Sequence, residues 1–186
     1  FQEVGGTEHM EKLGISVLGA YFYADEKYRA FEENEIPEFE KIIRELAHKK
    51  NGQLIGFNIN HFDLPVLLPY ISWNLRELPS LDLMNDVEVG VGFRVSLDNL
   101  AQNTLNAQKS GDGLQAIKWY KEGKIEEIKK YCLKDVELTK NLYEYGVKNA
   151  GVYFFSKSAM NKVSVSVNWS AKTYDKGRNG EQLSIF

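Results

Sequence analysis

Apolar positions along the chain run in two rhythms, one suited to strands and one to helices. Leu13 to Tyr23 (LGISVLGAYFY) is apolar and β-rich, and Lys27 to Glu32 is its expected hairpin partner across Ala24-Asp25-Glu26. A helix opens at Ile36-Pro37-Glu38-Phe39, where Pro37 suits the first turn and Glu38 and Glu40 sit near the positive end of the dipole. Phe39, Ile42, Ile43 and Leu46 form its apolar stripe, and Lys49-Lys50-Asn51-Gly52 ends it. Gln53 to Asn58 is a short apolar strand, Phe62 to Ile71 a helix, and Leu81 to Phe93 a further strand-like stretch. Ser96 to Leu105 (SLDNLAQNTL) has helical spacing with Ser96 as N-cap.

Beyond a loop at Lys109-Ser110-Gly111-Asp112-Gly113, Leu114 to Lys121 and Ile125 to Val147 are helical. The second helix carries Ile125, Ile128, Cys132, Val136 and Leu142 on one stripe. Val152 to Phe155 and Val163 to Trp169 alternate as a terminal hairpin. After Trp169 the chain turns polar (SAKTYDKGRNGE), so residues 1–169 are expected to form one domain and 170–186 a flexible tail. The order β-β-α-β-α, then further helices, predicts an α/β fold with a mixed sheet and packed helices.

Composition narrows the class. A hydrophobic content of 43% in 186 residues is enough for a folded domain with a real core. No apolar run approaches the ~20 residues that span a bilayer, and no basic-then-apolar leader is visible at Phe1-Gln2-Glu3-Val4. The single Cys132 can make neither an internal disulfide nor a thiolate metal site, so a soluble protein of a reducing cytoplasm is expected. A formal net charge of −3 argues against a nonspecific duplex binder, whose affinity rests on phosphate contacts. It does not exclude a protein that gathers carboxylates around cations and takes a strand end.

Two stretches carry candidate chemistry. Gly56-Phe57-Asn58-Ile59-Asn60-His61-Phe62-Asp63-Leu64-Pro65 places Asp63 after a strand, and Tyr131-Cys132-Leu133-Lys134-Asp135 places Tyr131 one helical turn before Asp135. Residues four apart on a helix face the same way, so Tyr131 can orient a water near an ion that Asp135 holds. Phosphodiester hydrolysis needs an activated water and a neutralised leaving oxygen. Two divalent ions roughly 3.5–4 Å apart supply both, and hard cations prefer carboxylate oxygens.

Asn-x-x-x-Phe-Asp, met by Asn58, Phe62 and Asp63, resembles the second motif of the DEDD exonuclease superfamily. Leu64-Pro65 continues it as in the proofreading domains of family-B DNA polymerases. Tyr-x-x-x-Asp, met by Tyr131 and Asp135, resembles the third motif of the tyrosine branch, DEDDy. Ser96-Leu97-Asp98-Asn99-Leu100 and the Gly-x-x-Ala-Ile of Gly113–Ile117 extend the likeness toward stand-alone prokaryotic exonucleases, over roughly residues 1–150. The resemblance implies a ribonuclease H-like fold and a 3′–5′ exonuclease using two Mg²⁺ or Mn²⁺ ions on single-stranded ends, DNA or RNA. It also implies that Asp63 and Asp135 are metal ligands, that Tyr131 positions the attacking water, and that Asn58 and Phe62 contact the terminal nucleotides.

The same resemblance calls for a first motif, Asp-x-Glu on an opening strand, and none is visible there. Glu3 and Glu8 lack the preceding Asp and the apolar strand. Either that strand lies upstream of Phe1, which the absent Met and abrupt start favour, or half the ligands are lost and the chain is a silent nucleic-acid- or clamp-binding scaffold. Residues 1–186 are expected to hold metal poorly and to hydrolyse little.

Other residues have plainer readings. His61 is a loop or helix-start residue, unrelated to His9 and His48, and Cys132 is core packing. Lys109 and Lys118 divide evenly between phosphate contact and solvated surface, and Gly111 with Gly113 lacks the Gly-Lys-Ser/Thr ending of a P-loop. Trp119, Tyr120, Tyr143 and Tyr145 are core or interface aromatics. The last five residues, Gln182-Leu183-Ser184-Ile185-Phe186, resemble the pentapeptide by which bacterial replication and repair proteins dock onto the β sliding clamp. A tethered peptide with a few anchors would supply local concentration at DNA.

Overall fold

Strands β1 (Val17–Phe22) and β2 (Lys27–Glu32) form the expected hairpin, antiparallel with Val17 opposite Glu32 and Phe22 opposite Lys27. The computed structural model describes residues 12–48, 52–75, 78–107, 113–170 and 183–185. Helix α1 (Ile36–His48) starts at the proline-bearing turn and buries Ile36, Phe39 and Ile43 completely or nearly so. The stretch expected to end it, 49–52, falls mostly outside the described residues.

Strand β3 is shorter than expected, Leu54–Gly56, because the chain turns sharply at Asn58. Helix α2 (Asp63–Leu67) is also short and gives way to a 3₁₀ turn over Leu68–Tyr70. Pro69 lies within that turn and has no N–H to continue the α-helical ladder.

The strand-like stretch Leu81 to Phe93 is a correction. Only β4 (Ser80–Asp82) is extended, and helix α3 (Leu83–Val91) follows at once. Val87, Val89 and Val91 alternate with Glu88 and Gly90 in a strand-like period of two. The termini decide otherwise: Asp82 caps the first turn by accepting from Met84 and Asn85 N–H, and Gly92 closes the last at φ 82°.

Helices α4 (Leu97–Leu105), α5 (Gly113–Lys121) and α6 (Ile125–Asn149) lie where periodicity puts them, and Ser96 Oγ caps α4 through Asn99 N–H. Of the loop expected before α5, residues 108–112 lie outside the described residues, and Gly113 already belongs to the helix. Strands β5 (Gly151–Ser156) and β6 (Asn161–Ser166) make a separate antiparallel hairpin, and Val167 to Trp169 leaves it as irregular chain. Its β5 edge is closed by side chains of α4. Thr104 Oγ1 bonds the N–H and C=O of Tyr153, both at 2.9 Å, while Asn99 bonds those of Phe155 at 2.7 and 3.0 Å.

The larger sheet has the order β2-β1-β7-β3-β4, where β7 is Leu183–Ile185. Strand β7 pairs antiparallel with β1 and parallel with β3, and β3 pairs parallel with β4. Three residues from the stretch read as a free tail therefore stand inside the sheet; Gln182 and Phe186 lie outside the described residues. The α/β class expected from the element order is the class observed.

Both sheet faces are covered. Leu54 packs with Leu18, Ala20, Phe31 and Phe39 on the α1 side, and its neighbour Ile55 packs with Leu83, Leu100, Leu142 and Phe154 on the other. Among the described residues no helix is long and apolar enough to cross a membrane.

Candidate active site

Two segments from opposite ends of the domain meet at one cleft. The first leaves the carboxyl end of β3. Asn58 adopts φ 67°, a left-handed conformation that Asn tolerates better than most residues. That reversal lets the Asn58 carbonyl accept from His61 and Phe62 N–H at 3.2 and 3.0 Å, which rolls the chain into α2 with Asp63 in its first turn. His61 is exposed on this turn.

The second segment is α6. Tyr131 and Asp135 lie one turn apart, and the buried Thr139 donates its hydroxyl to the Asp135 carbonyl at 2.9 Å. The helix sits close to β1 because position 19 is glycine. A Cβ on Gly19 would come within 2.8 Å of both Cys132 Sγ and Val136 Cγ2. From α5, the half-buried Trp119 sets its ring edge-on to Tyr131, with centroids 6.2 Å apart.

The cleft holds about 700 Å³ and is lined by Asn58, Phe62, Asp63, Tyr131 and Asp135, all half-buried. Ser16 to Leu18 of the β1 entry, Ser96 and Leu97 of α4, and Ala116 and Ile117 of α5 complete its walls. The five residues singled out in the two motifs are thus brought together.

Electrostatics tie the two carboxylates to one neighbourhood. Desolvation, with the Asp82 charge adding to it, pushes the Asp63 carboxyl up to about 7. Burial pushes the Cys132 thiol up to about 12, and the charges of Asp135 and then Asp63 contribute. Both carboxylates thus act on one sulfur. Cys132 is partly accessible but packed beneath Gly19.

Whether the cleft suits divalent ions rests on its donors. Two carboxylates, one of them poorly solvated, and the buried Asn58 Oδ1, which has no hydrogen-bond partner among the described residues, are hard oxygen donors of the right kind. Among the described residues no group of three or more His, Cys, Asp or Glu could hold a metal ion. Asp-x-Glu occurs at Asp86-Val87-Glu88 and Asp135-Val136-Glu137, but both lie in helices, where residues two apart diverge. Asp86 instead accepts the Trp169 indole N–H at 2.7 Å, and Glu88 pairs with Arg94.

The residue that sequence reasoning missed is Asp82. It is 4% exposed and accepts four backbone N–H groups: Asn58 at 2.9, Met84 at 3.1 and Asn85 at 3.3 Å on Oδ1, and Asn60 at 3.1 Å on Oδ2. One carboxylate thereby caps α3 and fixes the loop carrying Asn58 against β4. The signal was an Asp directly before Leu83-Met84, obscured by the valine alternation. Among the other candidates, Tyr143 is core and Trp119 and Tyr145 are partly buried, whereas Tyr120 is 58% exposed and is not core. Lys118 is 67% exposed and 4.0 Å from Glu122, a solvated position.

No curated protein and no solved structure matches the chain. A sequence profile of the RNase H superfamily, the RNase_H_2 group, matches residues 3–147, the span that contains the sheet's first four strands and every residue of the cleft named above. By that match over more than half its length, the chain belongs to the RNase H superfamily.

Proposed function

We propose that this chain is the body of a cytoplasmic, DEDDy-type 3′–5′ exonuclease that removes nucleotides from single-stranded DNA or RNA ends. The observation that carries the reading is the convergence of Asn58, Phe62 and Asp63 with Tyr131 and Asp135 on one cleft. Membership of a superfamily that contains nucleases supports it.

In this reading Asp63 and Asp135 hold the ions, Mg²⁺ or Mn²⁺. When bound, the ions supply an activated water and neutralise charge on the leaving oxygen. The Tyr131 hydroxyl orients the attacking water, one helical turn from Asp135. Phe62 stacks on the terminal base, and the Asn58 amide hydrogen-bonds the terminal nucleotide. The remaining two carboxylates are assigned to an opening strand bearing Asp-x-Glu, so residues 1–186 alone are expected to be inactive. The Gln182–Phe186 peptide is proposed to tether the enzyme to a sliding clamp.

The test uses a protein that includes an Asp-x-Glu opening strand, a 5′-labelled oligonucleotide and Mg²⁺. Stepwise shortening from the 3′ end is expected, together with its loss in Asp63→Asn or Asp135→Asn by 10³-fold or more. Retained rates in either variant reject the two-ion assignment, and digestion of a substrate blocked at its 3′ end rejects the direction. A parent protein that binds the oligonucleotide without cutting it would instead support the silent scaffold.

A further inference from the structure

We infer that the outer face of the β5–β6 hairpin is a stacking platform for single-stranded nucleic acid. Phe155 and Tyr153 each take one base, and Lys162 takes a phosphate beside them.

Strand alternation builds the platform. Val152, Phe154 and Ser156 turn inward and are buried, while Tyr153 and Phe155 stand exposed on the opposite face. Their cross-strand partners are Ser164 and Lys162, both exposed, and the next pair on that face is Gly151 with Ser166. Two rings thus rise above a floor of small side chains. Helix α4 already holds the backbone N–H and C=O of both aromatic residues, so the rings are what this face offers a partner.

Charge chooses the partner. The chain carries 26 acidic and 23 basic residues, yet Tyr145 to Trp169 contains Lys148, Lys157 and Lys162 and no Asp or Glu. Lys157 is exposed in the hairpin turn. Lys162 stands opposite Phe155, and its Nζ lies 4.7 Å from the centre of the Tyr153 ring. An ammonium beside two exposed rings matches a base joined to a phosphate. The spacing favours a single strand. Residues two apart on a β-strand are separated by about 6.7 Å, roughly twice the 3.4 Å rise per nucleotide of one duplex strand. Neighbouring bases reach both rings only when the strand is extended and unstacked.

Helix α4 also fixes where the platform lies. Ser96 and Leu97 at its start line the cleft, Asn99 holds Phe155, and Thr104 holds Tyr153 about 7.5 Å farther along the axis. Phe155 is therefore the ring nearer the cleft. A strand whose 3′ end enters the cleft would lay its body across Phe155 and then Tyr153. That placement rests on the exonuclease reading, whereas the platform itself does not.

The test is fluorescence anisotropy of the 186-residue chain with labelled oligothymidylate and oligouridylate of about 16 nucleotides, without metal. Binding of either supports the inference if it depends on the hairpin. The double variant Tyr153→Leu/Phe155→Leu keeps apolar bulk but loses both rings, and should bind at least about tenfold more weakly. Lys162→Gln should lower the slope of log affinity against log salt by about 0.7. Parent affinity in the double variant overturns the inference, as does a parent chain that binds neither oligonucleotide. A parent dimer that the double variant dissolves, with oligonucleotide affinity unchanged, would assign the face to a second copy of the chain instead.

Phe62→Ala separates this surface from the cleft. If it abolishes binding and the hairpin variants do not, the platform is rejected and the exonuclease reading stands. If only the hairpin variants weaken binding, the platform stands and the contact proposed for Phe62 is rejected. Ultraviolet crosslinking of the unaltered chain to a bromouracil-substituted oligonucleotide decides the matter even if the double variant fails to fold. Crosslinks should map to residues 151–166, and crosslinks confined to other segments overturn the inference.

Discussion

Asp82 Oδ1 accepts the backbone N–H of Asn58 at 2.9 Å across 24 residues of sequence, and it does so from a site with almost no exposure. The loop that aims Asn58 and Asp63 is therefore held by a carboxylate on the neighbouring strand, with the Ser80 hydroxyl of the same strand donating to Asn60 Oδ1 at 3.0 Å. Asp82→Ala would leave four buried or half-buried N–H groups without that acceptor. A loss of about 3 kcal/mol or more is expected in urea denaturation. Asp82→Asn keeps one acceptor oxygen and should cost less, about 1–2 kcal/mol. Equal, small losses in both would mean that the loop does not depend on this carboxylate.

Asn58 separates conformation from chemistry. At φ 67°, Asn58→Ala should pay a left-handed strain of about 1–2 kcal/mol that Asn58→Gly avoids. If the side chain contacts substrate, both variants lose nuclease activity in the complete protein while only Ala loses stability. Thermal midpoints and oligonucleotide-digestion rates, measured side by side, distinguish these effects. Full activity in Asn58→Gly would remove the side chain from the proposed substrate contacts.

Gly19 sets how closely α6 approaches β1. Gly19→Ala puts a methyl 2.8 Å from Cys132 Sγ and Val136 Cγ2, an overpacking expected to cost about 1–3 kcal/mol. Because Tyr131 and Asp135 ride on the same helix, activity in the complete protein should fall further than stability does. Cys132→Ala introduced with Gly19→Ala should recover part of both. A neutral Gly19→Ala would show that the helix has room to spare.

The raised Asp63 carboxyl predicts a pH dependence with a definite sign. Its folded value of about 7 stands above the roughly 3.9 of an unfolded aspartate. Between those values the folded chain keeps a proton that the unfolded chain has released. The Asp63 contribution to stability is therefore complete below about pH 4, declines as pH rises, and is lost above about 7, amounting to at most about 4 kcal/mol. Asp63→Asn should flatten that slope. Urea midpoints at pH 4 to 8 with no difference in slope between parent and variant would refute it.

Much of this architecture is legible along the chain, and the exceptions have physical reasons. Ser96 announces α4 through its cap, and the stripe through Ile128, Cys132 and Val136 marks the length of α6. These are local signals, set by periods and end groups within one element. The two motifs also announce the cleft, because Asn58–Asp63 and Tyr131–Asp135 each place their key residues within one turn or loop. Helix α3 fails the same treatment because its valines alternate, while the cap at Asp82 and the left-handed Gly92 outweigh them. Strand β7 could not be anticipated at all, since nothing local in Leu183–Ile185 specifies partners more than 120 residues away. The fourfold role of Asp82 is hidden for the same reason, with two of its donors contributed by the β3–α2 loop.

The closure of β5 by α4 bears on how the protein behaves in concentrated solution. Tyr153 and Phe155 are 36% and 41% exposed, a pair of aromatics on a hairpin edge that would ordinarily invite another chain to add a strand. Asn99 and Thr104 already fill the N–H and C=O positions that such a strand would need. The aromatic faces remain available to side-chain contact, but this edge offers no free backbone template at those two residues. Aggregation seeded there would first have to peel α4 away, which gives the hairpin a built-in resistance to fibre-like growth.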